Sequence, residues 1–204
     1  MSLNIPNRLT LLRIILIPFF MLFIVYPFFG EENIDISRIV AGVLFITAAV
    51  TDFFDGYIAR KRHIITDFGK FMDPLADKFL IFGALFAICV SDFMFPDDLV
   101  FSDNVMRQIF FWISIIVIFR ELAVTSMRLV VVRAAGTVVA ASKLGKIKTN
   151  TQIICVSMII LEPVLFPWAN GILSLITMAA MLIFTVWSGA NYIVTYWNHL
   201  DTNK

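Results

Sequence analysis

"TDFFDGYIARKRHIITDFGKFMDPLADK", residues 51–78, carries five aspartates (Asp52, Asp55, Asp67, Asp73 and Asp77) in a chain with only fifteen acidic residues. On either side the sequence turns apolar, with "RIVAGVLFITAAV" (38–50) before it and "FLIFGALFAICV" (79–90) after it. Carboxylates gathered between two such runs are expected where two membrane helices end at the same surface.

The rest of the chain supports a membrane setting. Of 204 residues, 60% are hydrophobic and 15% charged, and the mean hydropathy is +0.89. A soluble domain of this length needs more polar surface. The apolar runs reach the about 20 residues that cross a bilayer as helix, and no alternating ten-residue pattern of a barrel recurs. The expectation is an all-α integral membrane protein with six transmembrane helices at about 9–29, 38–60, 74–94, 109–132, 148–167 and 172–197. No repeat, low-complexity tract or long linker appears, so residues 1–204 read as a single domain. The head "MSLNIPNRLT" (1–10) reads as an interfacial elbow, with Pro6 interrupting it, Asn7 capping the next helix, and Arg8 and Arg13 facing lipid phosphates. No small-residue cleavage site follows a short apolar core, so the first apolar segment is expected to be retained.

Charge sorts the connections by side. Residues 30–37 hold Glu31, Glu32 and Asp35, and 95–108 hold Asp97, Asp98 and Asp103 with a single Arg107. The opposite connections are basic: Arg60, Lys61, Arg62, Lys70 and Lys78 in one, and Arg128, Arg133, Lys143, Lys146 and Lys148 in the other. The positive-inside rule places the basic side, both termini and the aspartates at the cytoplasmic face. The net charge of +1 gives no sign of a nucleic-acid partner, and none is expected. Cys89 and Cys155 read as packing residues, and His63 and His199 form no ligand pattern.

Asp52, Asp55, Gly56, Ala59 and Arg60 recur at i, i+3, i+4, i+7 and i+8, one face of a helix. Gly56 and Ala59 leave a trough on that face. Gly69, Asp73 and Asp77, spaced by four, share a face of the next helix, whose first turn would hold Pro74. A short connection makes the two helices antiparallel neighbours, and four carboxylates then converge at one depth. Such a cluster needs cations, and Arg60, Lys78 and Lys70 are too few. Oxygen donors without His or Cys suit Mg²⁺, Mn²⁺ or Ca²⁺. Two such ions would form a clamp for phosphoryl transfer, with a lipid diphosphate as substrate.

The pattern D52-x2-D55-G56-x2-A59-R60-x8-G69-x3-D73-x3-D77 resembles, position for position, the signature of the CDP-alcohol phosphatidyltransferase family. "NIPNRLTLLRI" (4–14), "FRELAVTSMRLVV" (119–131) and "ASKLGKIKTNTQ" (141–152) look like the family's bacterial branch that makes phosphatidylglycerol phosphate. The resemblance implies a multi-pass enzyme of the bacterial plasma (inner) membrane, often a homodimer. It implies that Asp52, Asp55, Asp73 and Asp77 ligate two divalent cations, Mg²⁺ or Mn²⁺, and that Asp77 is also the general base. Asn7, Thr10, Gly56, Ala59, Arg60 and Gly69 would line the CDP-lipid pocket. The implied substrates are CDP-diacylglycerol, its tails left among the membrane lipids, and sn-glycerol 3-phosphate.

The acceptor's own phosphate needs cations. Arg120, inside an apolar run beside Glu121, reads either as half of a structural ion pair or as a phosphate ligand. Arg120, Arg128 and Lys143 are the expected glycerol-phosphate residues. Three rivals remain at this level. A same-family synthase could use serine, inositol phosphate or phosphatidylglycerol. An intramembrane prenyltransferase also binds diphosphate through metals, although glycines interleaved with the aspartates speak against it. A cation transporter would place its acids near the midplane rather than at one mouth.

Overall fold

The computed structural model describes the backbone at residues 5–62, 67–95, 100–135 and 143–197, and side chains there except at 5–6, 53–62, 67–68, 70, 132–135 and 143. Six α-helices follow one another: α1 (Ile5–Val25), α2 (Ile34–Arg62), α3 (Asp67–Val90), α4 (Asp103–Ala135), α5 (Lys143–Leu165) and α6 (Ile172–Tyr196). No strand occurs among the described residues. Four stretches are long and apolar enough to cross a bilayer: Asn7–Val25, Glu31–Asp52, Asp103–Val131 and Ile172–Tyr196. Helices α3 and α5 have comparable length, 24 and 23 residues, but open on charged turns: Asp67, Lys70, Asp73, Asp77 and Lys78 on α3, and Lys143, Lys146 and Lys148 on α5.

The helices start earlier than hydropathy suggests, and two expectations fall with that. Helix α1 begins at Ile5 and runs through Pro6 and Asn7 without a break, so there is no elbow at Pro6 and Asn7 is not a cap. A proline in the first turn lacks only an N–H that would have had no helical partner anyway. Helix α3 begins at Asp67, which puts Pro74 inside the helix rather than in its first turn. There it withholds one hydrogen bond from the carbonyl of residue 70. The cause of both shifts is the same: charged residues that hydropathy assigns to a loop extend the helix beyond the apolar core.

Helix α1 packs most closely along α2 and also along α3; α5 packs on α6 and α2, and α4 on α6. Helix α3 approaches α2, α4 and α5 only sparsely. The contacts are made by small residues and rings. Phe20 and Phe45 meet edge to face at 5.5 Å. A Cβ on Gly42 would lie 2.6 Å from Leu161 Cδ2, and one on Gly83 2.8 Å from the Met21 sulfur. Association in lipid rests on such close approach, because lipid tails are as apolar as the helix faces they leave. Only 28–33% of each bilayer-length window is buried, and Phe71, Phe86, Trp112, Phe119 and Trp187 stand exposed. The apolar faces therefore turn outward toward lipid.

Buried polar groups lie toward the two ends of the bundle. At one end Glu162 accepts from the backbone N–H of Leu173 and Ser174, at 3.1 and 2.6 Å, and from the Ser174 hydroxyl. It thereby satisfies the first turn of α6, whose N-cap, Gly171, has no side chain to do so. Arg38 donates to the Phe93 carbonyl and to Asp35. The other end holds the signature aspartates.

Candidate active site

Helix α1 inserts a polar stripe beside the aspartates. Asn7, Thr10 and Arg13, spaced by three, are 7%, 1% and 0% exposed. Thr10 Oγ1 donates to Asp73 Oδ1 on α3 at 2.8 Å. Arg13 Nη1 donates to Asp52 Oδ1 on α2 at 2.6 Å. One helix thus grips a carboxylate from each of the two signature helices, which touch each other much less than they touch α1. The expectation that Arg13 faces lipid phosphates is wrong. Helix α1 turns Leu12 and Ile15 outward and Arg13 into the bundle, where a cation needs an anion.

Asp77 lies one turn beyond Asp73 and is partly buried. The charges that act on its carboxyl come from four other helices: Asp52 on α2, Lys148 on α5, Glu121 on α4 and Arg13 on α1. Long side chains span the space between α3, α4 and α5. Lys78 Nζ donates to Thr125 Oγ1 at 2.9 Å, and Thr125 Oγ1 donates to the Glu121 carbonyl at 2.7 Å. Lys78, read from sequence as a counterion of the aspartates, is thus bonded to α4. Glu121 Oε1 accepts from both Arg120 Nη1 and Lys148 Nζ, each at 2.6 Å. Arg120 Nη2 reaches Ser188 Oγ on α6 at 3.0 Å. Gly189 makes room for it, since a Cβ there would stand 3.0 Å from Arg120 Cγ. Arg128 is exposed, with its guanidinium carbon 6.0 Å from the centre of the Tyr192 ring.

The structure therefore gathers Thr10, Asp52, Asp73 and Asp77 with Arg13 and places the Arg120–Glu121–Lys148 group beside Asp77. Gly69 is buried on α3. The side chains of Asp55, Gly56, Ala59, Arg60 and Lys143 lie outside the described residues. Three participants are not singled out by the sequence pattern: Arg13, Glu121 as a two-cation hub, and Lys148, whose place in a basic connection marks topology alone. An ionisable residue inside an apolar run was the available signal for the first two.

The donor set suits a hard divalent cation. Asp52, Asp73 and Asp77 offer carboxylate oxygens, and no His or Cys is among their described partners. Among the described residues no three His, Cys, Asp or Glu side chains form a metal-binding group, and Asp55, the fourth signature carboxylate, lies outside them.

Residues 3–187 match the family model described as CDP-alcohol phosphatidyltransferase. The chain belongs to the CDP-alcohol phosphatidyltransferase family. Within that family it is 41% identical over 212 residues to the CDP-diacylglycerol–glycerol-3-phosphate 3-phosphatidyltransferase of Bacillus subtilis (strain 168), covering 98% of this chain and 99% of that protein. It is 33% identical over 197 residues to the Escherichia coli (strain K12) protein of the same name, covering 95% and 94%. A probable phosphatidylglycerophosphate synthase of Mycobacterium tuberculosis (strain CDC 1551 / Oshkosh) is 35% identical over 190 residues, covering 93% of this chain and 80% of that protein. The stretch that the family model covers includes Asp52 on α2 and Asp73 on α3, the two carboxylates that α1 holds in place.

Proposed function

We propose that this phosphatidyltransferase moves the phosphatidyl group of CDP-diacylglycerol to sn-glycerol 3-phosphate, giving phosphatidylglycerol phosphate and CMP. The near-full-length similarity to the Bacillus subtilis enzyme of that name carries the reading. The site supports it chemically, with carboxylates for a diphosphate clamp next to buried cations for a second phosphate.

In this reading Asp52, Asp55, Asp73 and Asp77 would hold two divalent cations, Mg²⁺ or Mn²⁺. When bound, these supply charge stabilisation to the diphosphate as CMP departs. Arg13 and Thr10 fix the Asp52 and Asp73 carboxylates, so that little reorganisation is needed on binding. Asn7, Gly56, Ala59, Arg60 and Gly69 line the cytidine-diphosphate pocket. Arg120, Arg128 and Lys143 bind the acceptor phosphate. Asp77 takes the proton of the acceptor's 1-hydroxyl as that oxygen bonds to the phosphorus bearing diacylglycerol. The phosphorus–oxygen bond to CMP breaks, and CMP leaves with the electron pair. A free carboxylate has a pKa near 4, so the proton moves late, once the attacking oxygen is already bonding.

The diacyl tails stay among the membrane lipids while the head group enters between helices. The site and both termini face the cytoplasm, a placement supported by the basic residues at that end. The enzyme works in a bacterial plasma membrane, and the homodimer implied by the family belongs to this reading.

The test is CMP release by the purified protein with CDP-diacylglycerol, Mg²⁺ or Mn²⁺, and a panel of alcohols. Glycerol 3-phosphate should drive release well above serine, inositol phosphate or phosphatidylglycerol. A different preferred alcohol would reassign the acceptor, and no metal-dependent CMP release with any of them would remove the reaction.

A further inference from the structure

We propose that Glu121 is a positioning residue for the acceptor phosphate, holding Lys148 and Arg120 together as one anion-binding fork beside Asp77. The inference rests on the reading of glycerol 3-phosphate as acceptor and adds Lys148 to the groups that receive its phosphate.

Three observations carry it. The first is geometry: one carboxylate oxygen, Glu121 Oε1, takes a 2.6 Å hydrogen bond from each cation, one on its own helix and one from α5. A single atom therefore ties the two cations to each other, with Ser188 Oγ holding the far side of Arg120. The second is charge. Two cations meet one carboxylate in a largely buried group, where side-chain exposure is 13% for Arg120, 14% for Glu121 and 7% for Lys148; the further anion acting on Lys148 is Asp77, so once that carboxylate serves the metals the group is left one positive charge in excess. A pair serving only structure would be expected to cancel.

The third is the set of donors left over. A lysine ammonium has three N–H groups, and Lys148 spends one on Glu121. Arg120 Nε is buried and has no hydrogen-bond partner, and neither does Gln152 Nε2. Gln152 is 1% exposed and lies one turn from Lys148 on α5, on the same face. Buried donors are normally satisfied. Spare donors flanking an excess positive charge match a phosphate, which has several acceptor oxygens and at least one negative charge. Lys148 and Glu121 both act electrostatically on Asp77, so a phosphate held by the fork would lie on the side of the proton acceptor.

The experiment measures CMP release at saturating CDP-diacylglycerol and Mn²⁺ while glycerol 3-phosphate is varied, for wild type, Glu121→Gln, Lys148→Met and the double variant. Each single change should raise the KM for glycerol 3-phosphate at least ten-fold, with the KM for CDP-diacylglycerol moving less than two-fold. If Glu121 acts through Lys148, the double variant should exceed the worse single by less than about three-fold. An unmoved acceptor KM, equal rises in both KM values, or effects that multiply to a hundred-fold or more would overturn the proposal.

Should Glu121→Gln fail to fold, Glu121→Asp takes its place, because it keeps the charge and withdraws the oxygen by one methylene. A raised acceptor KM there supports the fork, and an unchanged one overturns it. Failure of the underlying reading looks different: wild-type protein would then release CMP with another alcohol and not with glycerol 3-phosphate, and the inference would fall with it.

Discussion

Replacing Asp52 by Asn should cost stability as well as activity, and the bond from Arg13 sets the size of the effect. The Arg13 side chain is 0% exposed and its Nη1 stands 2.6 Å from Asp52 Oδ1. Removing one partner of a buried ion pair costs about 3–5 kcal/mol. Three features reduce that here. The Asp52 side chain is 43% exposed, so water reaches the anion side. Asparagine keeps a carbonyl oxygen that still accepts from the guanidinium. Arg13 also makes other interactions. A loss of about 2 kcal/mol remains, comparable to one charge-assisted hydrogen bond. For a chain of this size that lowers Tm by roughly 4–8 °C.

Heating the purified protein in detergent with a thiol-reactive fluorophore reads the transition, because Cys155 is buried and Cys89 partly so. A chelator in the buffer keeps loss of metal binding from contributing to the shift. The double variant Arg13→Met/Asp52→Asn removes both charges and should regain at least half of the lost Tm. An Asp52→Asn protein melting within about 1 °C of wild type, or a double variant no better than the single, would refute the reasoning.

Other outcomes follow from the same geometry. Asp77→Asn should melt like wild type and turn over at less than a tenth of its rate; a tenth or more would rule out Asp77 as the base. Arg120→Ala should raise the KM for glycerol 3-phosphate much more than that for CDP-diacylglycerol, and the reverse pattern in initial rates would assign Arg120 to the lipid head group. Gly189→Ala places a Cβ 3.0 Å from Arg120 Cγ, so Arg120 must yield by a few tenths of an ångström. We expect a two- to five-fold rise in the KM for glycerol 3-phosphate with no charge altered, and an unchanged value would show that Arg120 tolerates displacement.

Much was legible in the one-dimensional pattern because helices translate spacing directly into geometry. A repeat of three and four puts Asp52 and Asp55, and likewise Asp73 and Asp77, on common helix faces whatever surrounds them. Apolar run length fixes the helical class because the bilayer leaves backbone polar groups no other partner, although by length and hydropathy only four of the six described helices qualify as spans. Boundaries were less legible. Hydropathy marks where a helix leaves hydrocarbon, whereas the helix itself extends further while its hydrogen bonding lasts, so the described helices already include Ile5 and Asp67.

What the sequence by itself determined is the chemistry: a helical membrane protein with carboxylates in the family's spacing and basic residues at the same end. What only the tertiary structure decided is who partners whom. Arg13, inside an apolar run, and Lys148, at the edge of one, are both cations whose partner the sequence does not name, yet one grips Asp52 across α1 and α2 and the other joins Arg120 on Glu121. The physical reason is that a charge carried into a low-dielectric interior is tolerated only beside an opposite charge, and which one it meets depends on how helices distant in sequence pack together.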